Sequence, residues 1–256
     1  MTAPSTTNQA QPPTVRLEDV TKSFGARKVL DRVTFDVPRG TACCILGRSG
    51  TGKSVTLKHI VGLIKPDDGH VRVHGEDVPA LNARELSRVR RGIGFLFQNA
   101  ALFDSITVGE NVAFPMRRHT DLPDVDIRDR ARRKLESVGL GEDYDKMPSE
   151  LSGGMRKRAG LARAMALDPD LLLVDEPSAG LDPITSAEID DLLLRLKTER
   201  HTTLIVVTHN IPSARTIGDE LLMLHDGRIL ARGTADDLSR NEHEIVRTFM
   251  RSTGGG

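Results

Sequence analysis

The segment GRSGTGKS at residues 47–54 is the feature that most narrows what this chain can fold into. It follows a short apolar run at residues 43–46, typical of a buried strand, and precedes a stretch with the spacing of an amphipathic helix. Glycines in such a turn let backbone N–H groups converge on phosphate oxygens, and the helix adds the positive end of its dipole. A glycine-rich turn with a surface lysine is the alternative, but it does not require the flanking strand and helix. The segment therefore predicts a phosphate-binding loop for a nucleoside triphosphate.

The side chains of this loop have separate expected roles. Lys53 supplies a positive charge for the β- and γ-phosphates, and Ser54 supplies a hydroxyl oxygen for a Mg²⁺ ion. The remaining residues expected to contact the nucleotide are Gly47, Ser49, Gly50, Thr51 and Gly52.

A second apolar run, at residues 171–174, ends in the carboxylates Asp175 and Glu176. Charges at the end of a buried strand need partners. Asp175 is suited to the Mg²⁺ shell, and Glu176, which points elsewhere, is predicted to be the general base that polarises a water toward the γ-phosphate. Ordinary solvated acids at the start of a loop are the alternative.

Two further polar residues follow apolar runs. His209 comes just after residues 204–207 and is predicted to contact the γ-phosphate, because ligands of open α/β sheets bind at the carboxyl ends of the strands. A histidine in this place is otherwise structural, so the prediction depends on the two motifs above. For Gln98, which ends the run FLF, a plain strand end is the alternative.

The hydrophobic pattern predicts an α/β fold. The continuous apolar runs indicate a central parallel sheet covered on both faces, whereas residues 15–17, 33–37 and 71–73 alternate as antiparallel strands do. Residues 92–167 are predicted to be mostly helical and inserted into this core. Asp182 followed by Pro183 predicts a helix that runs to about Arg200, and capping-box spacing predicts helix starts at Thr107 and Asn241.

Composition excludes several other classes of protein. The 256 residues carry 36 basic and 36 acidic side chains, with no Trp, one Tyr and seven Phe, which gives nucleic acid neither charge nor stacking surface. The basic clusters at residues 84–91, 128–134 and 156–158 are interpreted as solvated helix faces. No apolar run approaches the roughly 20 residues of a membrane span, and the polar start at residues 1–13 predicts a disordered tail instead of a signal peptide. The adjacent Cys43 and Cys44 are interpreted as inert core thiols.

The segment LSGGM at residues 151–155 predicts a second anion site. Ser152 caps a helix whose first residues, Gly153 and Gly154, leave N–H groups free, and one chain hardly needs two such sites. In this place and order the block resembles the signature of ATP-binding cassette (ABC) ATPases, over about residues 14–235. The resemblance implies a P-loop NTPase with a central mostly parallel sheet, an N-terminal antiparallel β subdomain and an inserted α-helical subdomain.

The resemblance also implies the organisation of the chain and the roles of its residues. Residues 14–91 and 168–235 are expected to form the ATPase core, residues 92–167 the helical subdomain, and residues 236–256 a C-terminal helix and tail. Phe24 takes the adenine-stacking position, where Tyr is commoner. Gln98 lies in the Q-loop near the metal and the catalytic water, Asp182 in the D-loop, and His209 is the switch histidine.

A dimer follows from the same resemblance. Two copies are expected to sandwich two ATP molecules head to tail, so that Ser152 and Gly154 of one copy face the γ-phosphate held by Lys53 of the other. Whether the C-terminal helix packs on its own or the neighbouring copy stays open.

Within the family, residues 96–120 and Met155, in place of the commoner Gln, are most similar to the ATPases of bacterial Mla-type lipid transporters. That similarity implies an integral membrane permease, an MCE-domain protein and a small STAS-domain protein as partners, at the cytoplasmic face of the inner membrane. Residues 98–115, in which Leu102 and Phe103 are expected to be exposed, are expected to help form the groove for a permease loop. The alternatives are an importer ATPase for another small solute and a soluble ABC ATPase that acts on ribosomes or DNA.

Overall fold

The structure is a computed structural model that describes residues 12–252. Residues 1–11 of the predicted tail and the terminal residues 253–256 lie outside this range. In chain order the strands and α-helices are β1 (Val15–Phe24), β2 (Arg27–Val37), β3 (Ala42–Leu46), α1 (Lys53–Ile60), β4 (Asp68–Val73), β5 (Glu76–Asp77), α2 (Ala83–Arg91), β6 (Ile93–Leu96), α3 (Val108–His119), α4 (Asp124–Glu136), α5 (Gly153–Ala164), β7 (Leu171–Asp175), α6 (Pro183–Arg200), β8 (Thr203–Thr208), α7 (Ile211–Ile217), β9 (Glu220–His225), β10 (Arg228–Gly233), α8 (Ala235–Ser239) and α9 (Glu244–Arg251). Short 3₁₀ helices cover Val78–Ala80, Gly141–Asp143 and Pro148–Glu150.

Two sheets form the framework. The larger has six strands in the order β10-β9-β3-β8-β7-β6, all parallel except β10, which pairs antiparallel with β9. The smaller has four antiparallel strands in the order β2-β1-β4-β5. The predicted α/β architecture, with a mostly parallel central sheet and an N-terminal antiparallel sheet, is confirmed.

The apolar runs are buried because the larger sheet has a hydrophobic layer on each face. In β3, Cys43 and Ile45 pack into the layer shared with the antiparallel sheet and α1, whereas Cys44 and Leu46 face the layer of the other helices. Successive strand residues point to opposite faces, so a strand covered on both sides must be apolar throughout. Both thiols are free and buried, and burial raises the pKa of Cys44 to about 12, as expected of inert core cysteines.

The stretch expected to be mostly helical begins with a strand. β6 pairs with β7 at the edge of the larger sheet, and the helices α3, α4 and α5 follow it. Thr107 caps α3 with the expected reciprocal bonds to Glu110, and α6 ends at Arg200 as predicted. The division of the chain at residues 92 and 167 stays a proposal.

The start of the last helix was predicted wrongly. α9 begins at Glu244, with His243 as its N-cap, because His243 Nδ1 accepts the N–H of Ile245 at 3.3 Å. Asn241 instead accepts the N–H of His243, so its side chain shapes the preceding turn. Val246 and Met250 pack into the core of their own chain.

Within residues 12–252, the helices lack the length and apolar character that a membrane crossing requires.

Candidate functional site

The predicted phosphate loop connects β3 to α1 at the carboxyl end of the larger sheet. Gly52 caps α1 with a φ of 105°, and a Cβ there would lie 2.8 Å from Leu30 Cδ2 and 2.9 Å from the carbonyl oxygen of Val29. Only glycine meets both requirements. Thr51 Oγ1 donates to the carbonyl of Arg48 at 2.9 Å, and Ser49 and Gly50 are exposed. The loop thus presents its backbone outward at the start of a helix, as an anion site must.

Lys53 lies at the centre of this loop and is only 5% exposed. Its Nζ donates to the carbonyl oxygens of Gly47 at 2.9 Å and Arg48 at 3.2 Å, and lies 3.2 Å from Glu176 Oε1. The positive charge is therefore fixed between the loop and the catalytic acid predicted from the sequence.

Ser54 and Asp175 meet although 121 residues separate them in the chain. Ser54 Oγ donates to Asp175 Oδ1 at 2.8 Å. Burial raises the pKa of Asp175, and the bond from Ser54 opposes that rise. Two of the three predicted metal ligands, Ser54 and Asp175, thus come together as a pair of oxygen donors, whereas Gln98 is not bonded to either within residues 12–252.

The Glu176 carboxylate joins the two halves of the site. Its Oε1 pairs with Lys53, while its Oε2 accepts from the backbone N–H of His209 at 3.2 Å and lies 2.8 Å from His209 Nδ1. The charge that the sequence placed at the end of a buried strand therefore has partners on both sides. Glu176 and Asp175 point to different partners, as predicted, and the roles of both stay predictions.

Phe24 lies on the hairpin between β1 and β2, beside the phosphate loop. Its ring is 49% exposed, with Lys22 Nζ 5.6 Å from the ring centroid. Arg27, its partner across the hairpin, donates from Nη2 to the carbonyl of Gly50 at 2.9 Å. Arg27 lies outside every motif, so sequence reasoning had no signal for this connection.

The signature segment begins α5, as predicted. Ser152 Oγ accepts the N–H of Met155 at 3.2 Å, and Ser152 and Gly153 are exposed. Gly154 is buried because it packs against Thr185, where a Cβ would collide. Across residues 12–252, no hydrogen bond or ion pair joins residues 152–154 to the phosphate loop. Contact between the two predicted anion sites across two copies stays a prediction.

Gln98 and Asp182 make their contacts with residues other than those around Lys53. Gln98 is exposed and lines a cavity of about 320 Å³ with Gly153 and Lys157. Among the described residues, no hydrogen bond links it to Ser54 or Asp175. Asp182 caps α6 through Oδ1, which accepts from Ile184 and Thr185, and bonds to the Thr185 side chain lower the pKa of its carboxyl. Nucleotide contacts by these two residues stay predictions.

One correction concerns the basic cluster at residues 156–158, which the sequence suggested was a solvated face. Lys157 is only 5% exposed, and its Nζ donates to the carbonyl oxygen of Glu176 at 2.9 Å. A run of basic letters does not say which member faces inward. The helical position, one turn after the buried Gly154, was the available signal.

The other end of α5 holds the segment after Gln98. Arg163 donates to the carbonyl oxygens of Ala100 at 2.8 Å and Ala101 at 2.7 Å, and both alanines have positive φ, 57° and 51°. Left-handed backbone is unfavourable for alanine, so this turn needs such support.

A large cavity next to this turn has aromatic walls. It measures about 530 Å³ and is lined by residues that include Phe95, Phe97, Phe103, Phe114 and Arg163. Phe103, 46% exposed, packs on Phe114 with the ring centroids 5.0 Å apart. Leu102, expected to be exposed, instead packs partly buried against the core.

Comparison with known proteins identifies the family to which this chain is similar. Residues 30–179 match the family model described as ABC transporter. The probable ribonucleotide transport ATP-binding protein mkl of Mycobacterium leprae is 43% identical over 92% of this chain and 68% of its own length. The intermembrane phospholipid transport system ATP-binding protein MlaF of Escherichia coli K12 is 42% identical over 94% of this chain and 90% of its own length.

Solved structures show the same fold. A dimeric post-hydrolysis state of the ATP-binding cassette MJ0796, bound to ADP and Pi, superposes with a TM-score of 0.80 at 34% identity. The match covers 86% of this chain and 98% of that one. CbiO1 of Clostridium perfringens, part of the transporter complex cbiONQ, superposes with a TM-score of 0.79 at 26% identity over 93% and 98% of the two chains.

Proposed function

We propose, on the premise that this chain belongs to the ABC transporter family and is an ATPase, that two copies hydrolyse ATP between them to drive phospholipid transport. The observation that carries the chemistry is the Glu176 carboxylate. It lies between the Lys53 ammonium and the His209 ring, with the Ser54–Asp175 pair bonded alongside. A cation for phosphate, a base for water and oxygen ligands for a metal thus share one edge of the sheet.

In the proposed reaction, Glu176 accepts a proton from the water that attacks the γ-phosphorus. The bond from phosphorus to the β–γ bridging oxygen breaks, and ADP and inorganic phosphate leave. Lys53 carries the positive charge that the phosphates require, and His209 orients the carboxylate through the 2.8 Å contact at Oε2. Because Lys53 also pairs with Oε1, a γ-phosphate that takes over Lys53 frees that oxygen to bind the water.

The Ser54 hydroxyl and the Asp175 carboxylate fit Mg²⁺, which prefers oxygen ligands in a small number of protein contacts. When bound, Mg²⁺ would neutralise charge on the phosphates. Asp175 is 7% exposed, and its raised pKa reflects a carboxylate whose burial is incompletely compensated by Ser54 alone. Gln98 is proposed as a further oxygen ligand.

The signature segment is proposed to complete the nucleotide site of the other copy. Ser152 and Gly153 are exposed at the start of α5, an anion-binding end of a helix that its own chain does not use. A relative with this fold is a dimer bound to ADP and Pi. Phe24 and Asp182 are proposed to contact the adenine ring and the neighbouring copy, respectively.

Phospholipid is the proposed cargo because the chain spans 90% of MlaF, which is named for phospholipid transport, but 68% of the mycobacterial mkl protein, which is named for ribonucleotides. A permease is proposed to dock in the aromatic cavity beside Phe103 and Phe114, with an MCE-domain protein and a STAS-domain protein as further partners. This assembly places the chain at the cytoplasmic face of the inner membrane.

The test is ATP-driven phospholipid movement by the chain together with the membrane proteins that copurify with it, reconstituted in vesicles. Glu176→Gln keeps the shape of the side chain but removes the base, so hydrolysis and lipid movement fall by about 10² or more while ATP binding persists. Glu199→Gln, at the exposed end of α6, is the matched control and keeps parental rates.

Three outcomes would each contradict part of this proposal. Near-parental hydrolysis by Glu176→Gln would remove Glu176 from its role as base. Purification from native membranes with no integral membrane partner would contradict the transporter assignment. ATP-driven movement of a small solute, with phospholipid left in place, would contradict the cargo.

A further inference from the structure

Lys157 is a buried cation that the proposed hydrolysis does not use. It lies in the second turn of α5 and is only 5% exposed to solvent. Burial lowers the pKa of its ammonium, and Asp175 and Glu176 oppose that shift. A buried charge persists only where hydrogen bonds and opposite charges compensate it, so the Lys157 ammonium needs a partner inside the protein.

That contact is with the backbone of the proposed general base. Lys157 Nζ donates to the carbonyl oxygen of Glu176 at 2.9 Å, while the N–H of Ala179 reaches the same oxygen at a longer 3.3 Å. The N–H of Glu176 donates to Val207 in β8 at 2.9 Å. The peptide groups at Glu176 are therefore held by the sheet on one side and by α5 on the other.

The backbone at Glu176 needs this support. Its φ is 47°, in the left-handed region that a residue with a Cβ rarely adopts. The direction of the carboxylate depends on this turn, because the two oxygens must reach Lys53 and His209 at once. Relaxation of the turn toward ordinary φ values would move the carboxylate away from one partner or both.

The helix that carries Lys157 also contacts two other functional segments. Ser152 caps its first turn, and Arg163 near its last turn bonds to Ala100 and Ala101 after Gln98. α5 is thus one rigid element between the signature, the end of β7 and the segment beside the aromatic cavity.

We propose that Lys157 is a positioning residue that holds the left-handed turn at Glu176, so that the base is aligned only while α5 packs against the end of β7. The inference rests on the proposed role of Glu176 as base. It goes beyond that role by making the alignment of the base depend on the helix that begins with the signature. Lys157 acts in this proposal only through the carbonyl oxygen of Glu176, and no contact with the attacking water or the phosphate is assigned to it.

The test is Lys157→Met, which keeps the length and apolar stem of the side chain but removes the donor. Loss of a charged hydrogen bond predicts that kcat for ATP hydrolysis falls by about tenfold. The Kd for ATP stays within about twofold, because the phosphate loop keeps its own contacts. Lys157→Arg, which restores a charged donor, recovers at least part of the lost kcat.

Lys134→Met is the matched control. Lys134 is another largely buried lysine with a lowered pKa, but it lies on α4 and pairs with Asp168 at the surface. Its kcat is expected to stay parental. Thermal unfolding of all three variants separates misfolding from misalignment, and equal losses of kcat in Lys157→Met and Lys134→Met would overturn the inference.

A double variant distinguishes this inference from the proposed function. In Glu176→Gln, where the base is absent, Lys157→Met is expected to cause no further loss of kcat, because it acts through that carboxylate. Three results would contradict the positioning role alone, provided that Glu176→Gln has a low kcat. The kcat of Lys157→Met could equal that of the parental protein, the kcat of Lys157→Arg could be as low as that of Lys157→Met, or the double variant could lose a further tenfold in kcat. A fast Glu176→Gln would contradict the proposed base instead.

Discussion

Buried carboxylates in this chain differ in how well they are compensated. Glu176 has a cation and a histidine at its two oxygens. Asp190 in α6 is only 6% exposed, and its Oδ1 has no hydrogen-bond partner among residues 12–252. Burial raises the pKa of Asp190 to about 6, and a bond from Ser213 opposes that rise. An ionised group in this place destabilises the fold, because the unfolded chain solvates it fully.

Asp190→Asn is therefore expected to stabilise the protein near neutral pH. The folded pKa lies above the ordinary value of 3.8, so stability is fully present below pH 3.8 and is lost as the pH rises through about 6. The variant lacks this loss, and its advantage in free energy of unfolding reaches about 1–3 kcal/mol above pH 7 and shrinks toward pH 5. Denaturant unfolding at several pH values measures it. An advantage that does not change between pH 5 and pH 7.5 would contradict the assignment to Asp190.

The residues predictable from the sequence are those whose type is fixed by chemistry. Lys53, Ser54 and Asp175 are specified by what phosphate and Mg²⁺ require, and the structure brings them to one edge of the sheet. Lys157 and Arg27 act by reaching a backbone carbonyl, which any nearby long cationic side chain can do. A sequence motif cannot predict such a contact, because the hydrogen-bond acceptor is a main-chain carbonyl, which every residue has.

At the scale of elements, helix starts were predictable where a short polar side chain could accept an N–H. Thr107, Ser152 and Asp182 all cap the helices expected of them. For α9 both Asn241 and His243 could serve as the N-cap, and in the structure His243 is the N-cap. The strand β6 lies in the stretch expected to be mostly helical, and a strand end near Gln98 was only an alternative, because the four residues IGFL carry too short a pattern to distinguish a strand from a helix start.

The contact of α5 with the turn after Gln98 depends on Gly160. A Cβ at this position would lie 2.9 Å from Ala100 Cβ and 3.0 Å from Leu96 Cδ1. Gly160→Ala is therefore expected to lower the free energy of unfolding by about 1–3 kcal/mol through overpacking, although alanine favours helix. Gly153→Ala on the same helix is the control, because its Cβ would meet Leu181 at an ordinary 3.5 Å. Equal unfolding midpoints for the two variants would contradict this prediction, because they would show that Ala100 can shift to accommodate the added methyl group at no cost in stability.

At the scale of the whole molecule, each ATP site is proposed to depend on two chains. The phosphate loop with Lys53 and the exposed start of α5 at Ser152 both have the features of anion sites, and no hydrogen bond joins them within residues 12–252. A head-to-tail pair brings them together twice, since a twofold axis repeats every contact. ATP is proposed to stabilise the closed pair, and its hydrolysis to remove that stabilisation.

The most direct test is the molecular mass of Glu176→Gln in solution, with and without ATP, compared with Glu176→Gln that also carries Ser152→Asp. An aspartate still caps α5 but puts a negative charge toward the γ-phosphate of the other copy. We expect ATP to convert Glu176→Gln from a monomer of 28.0 kDa to a dimer of twice that mass. The variant that also carries Ser152→Asp is expected to bind ATP and to stay at 28.0 kDa. A single chain that keeps its mass with ATP bound, or an ATP-induced dimer that ignores Ser152→Asp, would contradict these expectations.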